Sequence, residues 1–288
     1  MNKFPGNIIT DTPIVPVGPY SDQPASGVWS LSSVLTNMKA GTWPIAGNVL
    51  PVGQSAFTSV GTFSWVAPTD VTSISVVLVG AGRQGQGVTG GGGGSLGYKN
   101  NITVVPGTSY TVVVPAVSTA QSPSSVPSTI TIGGNTYSVG SASSNTAGAR
   151  GGSTDGGGDG GTGGNGACGG GGGGGGGYSG NGGTGYFSYG AGPTAGSGGG
   201  GGGGGSSQGG GGGVGLLGEG SSGAAGSPGG GGGSGGSDGG VGNAGNPGNY
   251  GGGGGTTGGT GSGRGQGAVR IIWPGVLRQF PSTRTGDE

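Results

Sequence analysis

The chain has 288 residues, of which 91 are glycine and 17 are proline, while charged residues make up only 6 %. Nine basic and nine acidic side chains cancel. This argues against binding to nucleic acid or an anionic membrane, since both need a basic surplus. Without histidine and with a single cysteine, the composition excludes histidine-dependent catalysis, multi-cysteine metal sites and a disulfide framework. Collagen is excluded because no Gly-X-Y period is kept. We therefore expect a protein that is not an enzyme and that holds no cofactor or metal.

Glycine is concentrated in one part of the chain. Residues 1–140 contain 21 of the glycines, residues 141–267 contain 68 and residues 268–288 contain 2. This distribution and the patterns described below predict five segments. They are an N-terminal arm with a short helix (1–50), a β-sandwich scaffold (51–140), a glycine-rich bundle (141–265), a strand that returns to the sandwich (266–274) and a C-terminal tail (275–288).

The N-terminal segment begins with a proline-rich stretch, 1–28, which predicts an extended arm. Residues 30–40 show the only convincing helical period. The apolar residues on one face of this helix are Leu31, Val34, Leu35 and Met38. The first residues lack the apolar core of a secretory signal, and no apolar run approaches the roughly 20 residues that cross a membrane. We therefore expect synthesis in the cytoplasm and no membrane insertion.

Residues 55–140 contain short segments in which apolar and polar residues alternate, as is typical of β-strands. The segments are 62–66, 73–79, 102–105, 109–114, 129–132 and 136–139. Gly-Gly-Asn at 133–135 predicts a tight hairpin, and 102–114 predicts a strand, a turn and a second strand. A strand pattern at 267–273 stands alone after the glycines, so we expect it to pair within the same sheet. The fold class is therefore mainly β, a small β-sandwich with a large glycine-rich insertion.

The glycine-rich insertion has two interpretations. Glycine costs more backbone entropy to order than any other residue, which favours a flexible tether. However, the glycines cluster in runs such as 169–177, 198–205 and 251–255, and turn-forming residues separate these runs. Such runs fit the polyglycine II helix, which has three residues per turn and bonds only to neighbouring helices. A bundle of these helices is the ordered interpretation, and we expect much of 150–265 to be ordered in this way.

Aromatic side chains are rare in the glycine-rich segment and are candidate receptor-binding residues. They are Tyr178, Tyr186, Phe187, Tyr189 and Tyr250. Because a glycine helix leaves no room for a ring inside a bundle, we expect these rings to project from its tips or edges and supply rigid contact area. We expect Tyr186, Phe187 and Tyr189 at the centre of this surface. In the alternative, the rings cap the bundle by stacking on its ends or on the sandwich.

Two motifs suggest nucleotide or RNA binding but lack the necessary context. Residues 80–85 match the dinucleotide fingerprint, yet no helix can begin in the glycines that follow, and no acidic residue lies about 20 residues further on. Arg150 and Arg264 lie next to glycines, as in arginine–glycine RNA-binding segments. Two such arginines in a chain of zero net charge do not support an RNA partner.

Three segments in order resemble the glycine-rich domain of structural proteins of tailed bacteriophages, often tail-fibre proteins. They are 62–82, which opens with Thr-Phe-Ser-Trp-Val, then Gly-Ala-Val-Arg-Ile-Ile-Trp (267–273) and Phe-Pro-Ser-Thr-Arg-Thr-Gly-Asp (280–287). Residues 27–44 are similar to segments that precede that domain. The glycine runs between the strands resemble the polyglycine bundle of tail-fibre tip adhesins.

The resemblance implies a virion protein, made in the host cytoplasm, that attaches the phage to its host and has no catalytic residues. Residues 1–50 would then dock on other virion proteins, and the bundle would bind a surface polysaccharide or an outer-membrane protein. A structural component without receptor binding, such as a capsid decoration, a head fibre or a tail spacer, is the alternative. A homotrimeric assembly is left open. An ice-binding protein is a third class, which the lack of flat threonine or alanine arrays disfavours.

Overall fold

The computed structural model describes residues 51–116, 126–166, 169–188, 192–206, 208–227, 229–240, 245–256, 263 and 265–281. The regular secondary structure of these described residues is all β. The strands are β1 (Gly53–Phe57), β2 (Gly61–Val66), β3 (Ser73–Val79), β4 (Leu96–Thr103), β5 (Ser109–Val114), β6 (Ser128–Ile132), β7 (Asn135–Val139), β8 (Gly156–Gly158) and β9 (Ala268–Trp273). The predicted arm and helix at 1–50 lie outside the described residues.

The strands form two antiparallel sheets, consistent with a β-sandwich. The five-stranded sheet has the order β1-β9-β3-β4-β8, and the four-stranded sheet has the order β2-β5-β6-β7. The returning strand β9 pairs with β3 on one side and with β1 on the other. The prediction that this strand joins the scaffold sheet is therefore confirmed. The glycine-rich segment is an insertion between β8 and β9, so both of its ends are held in one sheet.

Most predicted strands occur where the alternation predicted them, but β1 and β8 were not predicted, and β4 begins earlier than expected. The strand β4 begins at Leu96 rather than at residue 102, because pairing with β3 extends it through polar residues. The predicted strand, turn and second strand over 102–114 are confirmed, and the turn at Gly107 connects β4 and β5 across the two sheets. The strand β8 consists of three glycines that pair with β4. The predicted hairpin between β6 and β7 is confirmed, with φ angles of 56° at Gly133 and 81° at Gly134.

The two sheets enclose one apolar core. Alternate residues of β3, such as Val76, point into this core and belong to the same buried cluster as Val112 and Ile130 of the four-stranded sheet. Trp65 and Trp273, one from each sheet, lie with their ring centroids 5.9 Å apart. This shared core joins the sheets as the layers of a sandwich.

The outer face of the five-stranded sheet is also buried, because the glycine-rich segment covers it. Val77 of β3 and Ile272 of β9 pack there with Val214 and Leu216 from the insertion and with Phe280. The sheet is therefore the middle layer of three. This explains why β3 and β9 are buried at every position and are apolar at most of them.

Glycine runs within the insertion hydrogen-bond to one another with a period of three residues. Successive N–H groups of the run 169–177 donate in turn to three different neighbours. The donor–acceptor pairs are Gly171–Tyr186, Gly174–Gly183 and Gly177–Gly180 on the first neighbour, Gly172–Gly209 and Gly175–Gly212 on the second, and Gly173–Gly91 and Gly176–Gly94 on the third. Every glycine of this run is buried. The bonds between runs therefore satisfy amides that no water reaches.

Residues 80–95, which connect β3 to β4, hydrogen-bond with the same runs. Gly90 donates its N–H to the carbonyl of Gly164, and Gly91 donates to that of Gly254, each at 2.8 Å. From the sequence, these residues were predicted to belong to the scaffold. The chain from Val52 onward forms one compact unit, which contains both the strands and the glycine runs.

Candidate functional site

The glycine runs lie side by side, some antiparallel and some parallel to their neighbours, and so share two ends. Runs 158–166 and 169–177 are antiparallel, since Gly161 donates its N–H to Gly174, whereas Gly164 donates to Gly171. Run 169–177 is parallel to run 209–213, since Gly172 donates to Gly209 and Gly175 to Gly212. We name the end that carries Tyr178 the sheet end, because Tyr178 packs on the five-stranded sheet. The opposite end, where Gly169 donates its N–H to the carbonyl of Gly166 at 2.9 Å, is named the distal end.

Backbone hydrogen bonds hold the distal end together. The turn 86–89 is closed by two reciprocal bonds between its first and last residues, at 2.8 and 2.9 Å. Gly166 donates its N–H to the carbonyl of Val88 at 3.2 Å, and Ser188 donates to the carbonyl of Asn165 at 3.1 Å. Three segments that are distant in sequence therefore lie side by side.

Tyr186 and Phe187 lie at the distal end, and both are half-buried. Tyr186 donates its N–H to Gly204 at 2.9 Å and accepts the N–H of Gly171 at 3.4 Å, so its backbone is fixed among the runs. Val88, which is 41 % exposed, lies on the neighbouring turn. The described residues of these segments carry no charge. This end therefore carries two half-buried aromatic side chains and one exposed aliphatic side chain.

Tyr178 is fully buried at the sheet end, so the expectation that its ring projects from the bundle is wrong. The ring stacks on Phe280 with centroids 5.9 Å apart and lies 6.3 Å from Tyr98. The hydroxyl donates to the carbonyl of Gly215 and accepts the N–H of Gly218, both at 3.1 Å. Burial raises the pKa of the Tyr178 phenol well above its ordinary value. A turn, unlike the interior of a run, has room for a ring, and this ring anchors the insertion to the sheet.

Tyr250 is also at the sheet end, half-buried and apart from Tyr186 and Phe187. Its φ angle is 57°, and its carbonyl accepts the N–H of Val214 at 3.0 Å. Tyr189 lies outside the described residues. The four described rings that the sequence analysis assigned to one surface are therefore divided between the two ends.

A groove of about 860 Å³ lies at the sheet end, beside the edge strand β1. Its floor includes Gln54 and Ala56 of β1 and Arg270 of β9, and its walls are turns of the insertion that include Leu216 and Tyr250. The groove brings together residues that are up to 216 positions apart in the chain.

Arg270 stands in an otherwise apolar strand and is only 2 % exposed. Its Nε and Nη2 donate to the side-chain oxygen of Gln54, and its Nη1 donates to the carbonyl of Leu216 at 3.1 Å. These bonds hold the guanidinium group at the floor of the groove. This site was not predicted from the sequence, although a charged residue in the middle of a buried strand is a signal that points to it.

The segment 80–85, which matches the dinucleotide fingerprint, is buried and is not followed by a helix in the described chain. Gly82 donates its N–H to the carbonyl of Gly265 at 2.8 Å, and Arg83 donates its N–H to that of Gly92 at 3.0 Å. These backbone groups bond within the glycine runs. They therefore do not form a cradle for a phosphate.

A scan against protein-family models finds no family that matches the chain, and a search of curated proteins finds no matching relative. Within the described ranges, no helix has the length and apolar character needed to span a bilayer. The same ranges contain no group of three or more acidic or cysteine side chains that could hold a metal ion.

Proposed function

We propose that the chain is a non-enzymatic bacteriophage virion protein of the tail-fibre adhesin type, which attaches the particle to its host through the distal end. The observation that carries this proposal is the position of Tyr186 and Phe187 at the end of the insertion opposite to its anchor on the sheet. The resemblance of the strand segments to the glycine-rich domain of phage structural proteins supports the virion assignment. In this proposal, residues 1–50 dock on other virion proteins.

The insertion is, in this proposal, a bundle of polyglycine II helices. The support is the alternation of donors along the run 169–177, because three neighbours met in turn are what a helix with three residues per turn requires. A helix without side chains also lets its neighbours approach to backbone contact. Both ends of the insertion lie in one sheet, and its described runs bond to each other. Such a bundle is a stiff support for whatever its turns carry.

A stiff support favours binding by the rings at the distal end. When the backbone of an aromatic residue is already fixed, the residue loses little conformational entropy as a partner contacts its ring. Aromatic faces stack on sugar rings and on apolar loop residues, so a surface polysaccharide or an outer-membrane protein fits this end.

Adsorption of phage that carry Tyr186→Ala, Phe187→Ala and Tyr189→Ala together tests the proposal. We expect slower adsorption, since truncating one well-packed anchor commonly costs about 2 kcal/mol or more of binding, and several copies per particle multiply the effect. Leu277→Ala is the matched control, because Leu277 is a 68 % exposed apolar residue that follows β9. Wild-type adsorption by normally assembled particles of the triple variant would contradict the adhesin role.

The alternative function is a virion structural component, such as a capsid decoration, a head fibre or a tail spacer, without receptor binding. The burial of Tyr178 favours it, since that ring anchors the insertion and is inaccessible to a partner. The same adsorption experiment decides between the two functions. Normal assembly with unchanged adsorption would indicate that Tyr186 and Phe187, like Tyr178, serve the structure of the bundle and do not bind a receptor.

A further inference from the structure

The groove at the sheet end lies between the edge strand β1 and turns of the insertion. Gln54 and Ala56 alternate along β1, so they line the groove from one face of the strand, and Thr58 lines it just beyond the strand end. This is the face that the insertion covers elsewhere in the sheet. The volume of about 860 Å³ lies within the roughly 300–1,000 Å³ that is typical of ligand pockets. Sheet and insertion together therefore build a site of ligand size, at the end opposite to Tyr186 and Phe187.

The lining of this groove combines uncharged polar groups with apolar surface. Besides Gln54 and Thr58, the polar side chains are Ser221, Ser234, Ser237 and Asn249. The larger apolar and aromatic side chains are Leu216, Leu217 and Tyr250. Arg270 is the one charged residue among the lining residues that the structure describes, and no carboxylate lies among them. The lining therefore does not suit a cationic ligand.

We propose that this groove binds a short neutral oligosaccharide. A sugar presents hydroxyl groups around the edge of its ring and C–H groups on its faces, so it needs both kinds of lining. The half-buried ring of Tyr250 suits a C–H face. The serine hydroxyls and the amide of Asn249 suit the hydroxyl groups. The guanidinium of Arg270, held by Gln54, places a fixed positive charge under the electron-rich oxygens of the sugar.

An extended peptide is the competing occupant, and the geometry disfavours it. A peptide that adds to a sheet bonds to the free N–H and C=O groups at the edge of a strand. This groove instead exposes the face of β1, through side chains such as Gln54 and Ala56. We therefore expect a sugar in the groove, and binding of a peptide there would contradict this expectation.

Titration of the purified full-length chain with neutral disaccharides and trisaccharides of glucose, galactose, mannose and N-acetylglucosamine tests the proposal by calorimetry. We expect at least one sugar to bind with a millimolar or lower Kd. Ala56→Trp fills the floor of the groove and should weaken that binding about tenfold or more. Asn249→Ala removes a lining amide without adding bulk and should weaken it as well. Val66→Trp is the matched control on an exposed strand residue of the other sheet and should bind like the wild type.

The proposal is overturned if no sugar of the panel binds, or if both groove variants bind sugar as the wild type does. Binding of neutral peptides in the groove, lost in Ala56→Trp, with no binding of sugars would also overturn it. The Tyr186→Ala and Phe187→Ala variants should retain sugar binding in the groove, because their residues lie at the other end. Failure of this proposal is therefore distinguishable from failure of the adhesin role.

Discussion

A glycine inside a run is required because any side chain there would overlap a neighbouring backbone. At Gly173, a Cβ atom would overlap the carbonyl oxygen of Gly161 and would lie 3.0 Å from the nitrogen of Gly93. Backbone atoms of packed runs cannot rotate away as the end of a flexible side chain can. At Gly152, in an exposed turn, a Cβ atom would meet nothing within 4 Å. The need for glycine at Gly173 is therefore one of space between chains.

Gly173→Val should destabilise the protein strongly. Overpacking of a well-packed interior typically costs about 1–3 kcal/mol, and here the clash is with fixed backbone, so we expect a loss of about 3 kcal/mol or more. Gly152→Val is the matched control and should change the free energy of unfolding by only about 0.5 kcal/mol. Urea denaturation of both variants measures the difference. Equal midpoints would show that the runs do not lie at backbone contact distance.

The strand β8 depends on its neighbours more than any other element, because its three glycines have no side chains to pack. The residue before it, Asp155, supplies a link to β4. Its carboxylate accepts a hydrogen bond from Lys99 Nζ at 2.5 Å and another from the N–H of Asn100 at 2.8 Å. Burial raises the pKa of Asp155, but these bonds outweigh burial and hold the pKa below its ordinary value. A side chain outside the strand thus helps to hold the strand in place.

The lowered pKa of Asp155 makes part of the stability depend on pH. The stabilisation is complete above the ordinary carboxyl pKa of the unfolded chain and is lost as the pH falls through the lower folded value. Asp155→Asn should therefore flatten the acid limb of a plot of stability against pH. Side chains about one third exposed form weak ion pairs, so we expect no more than about 1 kcal/mol. Thermal melts across the acid range provide the measurement.

Lys99→Gln serves as the companion to this variant, since it removes the partner and leaves the carboxylate. It should raise the pKa of Asp155 and shift the loss of stability to higher pH. An acid limb identical to that of the wild type in both variants would contradict the role of this ion pair.

Across the whole molecule, the sequence predicted the elements whose side chains form a pattern. The apolar runs of β3 and β9 and the glycine pair of the β6–β7 hairpin are local signals, and the structure has these elements where they were expected. The strand β8 was not predictable in this way. Three glycines show no alternation, and their strand conformation depends on the backbone bonds that β4 provides.

The candidate site was predictable only as a set of residue types. Tyr178 and Tyr186 occur in similar glycine-rich surroundings, yet Tyr178 is buried on the sheet and Tyr186 lies at the distal end. What distinguishes them is the direction of the run before each ring, which is fixed by bonds between residues distant in sequence. The groove depends in the same way on contacts between Gln54, Leu216 and Arg270. Local patterns do not contain this information.

Amide hydrogen exchange should show that the glycine runs are ordered throughout the insertion. The N–H groups of 171–177 are bonded between buried runs, so we expect their exchange to be slow and to approach that of β3. Glycines in exposed turns, such as Gly133 and Gly152, should exchange quickly. Uniformly fast exchange over 171–177 would instead indicate the flexible tether.

Because successive N–H groups of a run donate to three neighbours in turn, the position of a residue in the run determines which neighbour its N–H faces. Adding one residue inside a run would rotate every later N–H by about a third of a turn, toward a different neighbour, whereas adding three would restore its direction. Each turn between runs restarts this count. The turns of the distal end can therefore change in length and in side chains, while the bonding pattern within the runs is kept. One scaffold can in this way carry many different recognition surfaces, and evolution can exchange them without rebuilding the sheet below.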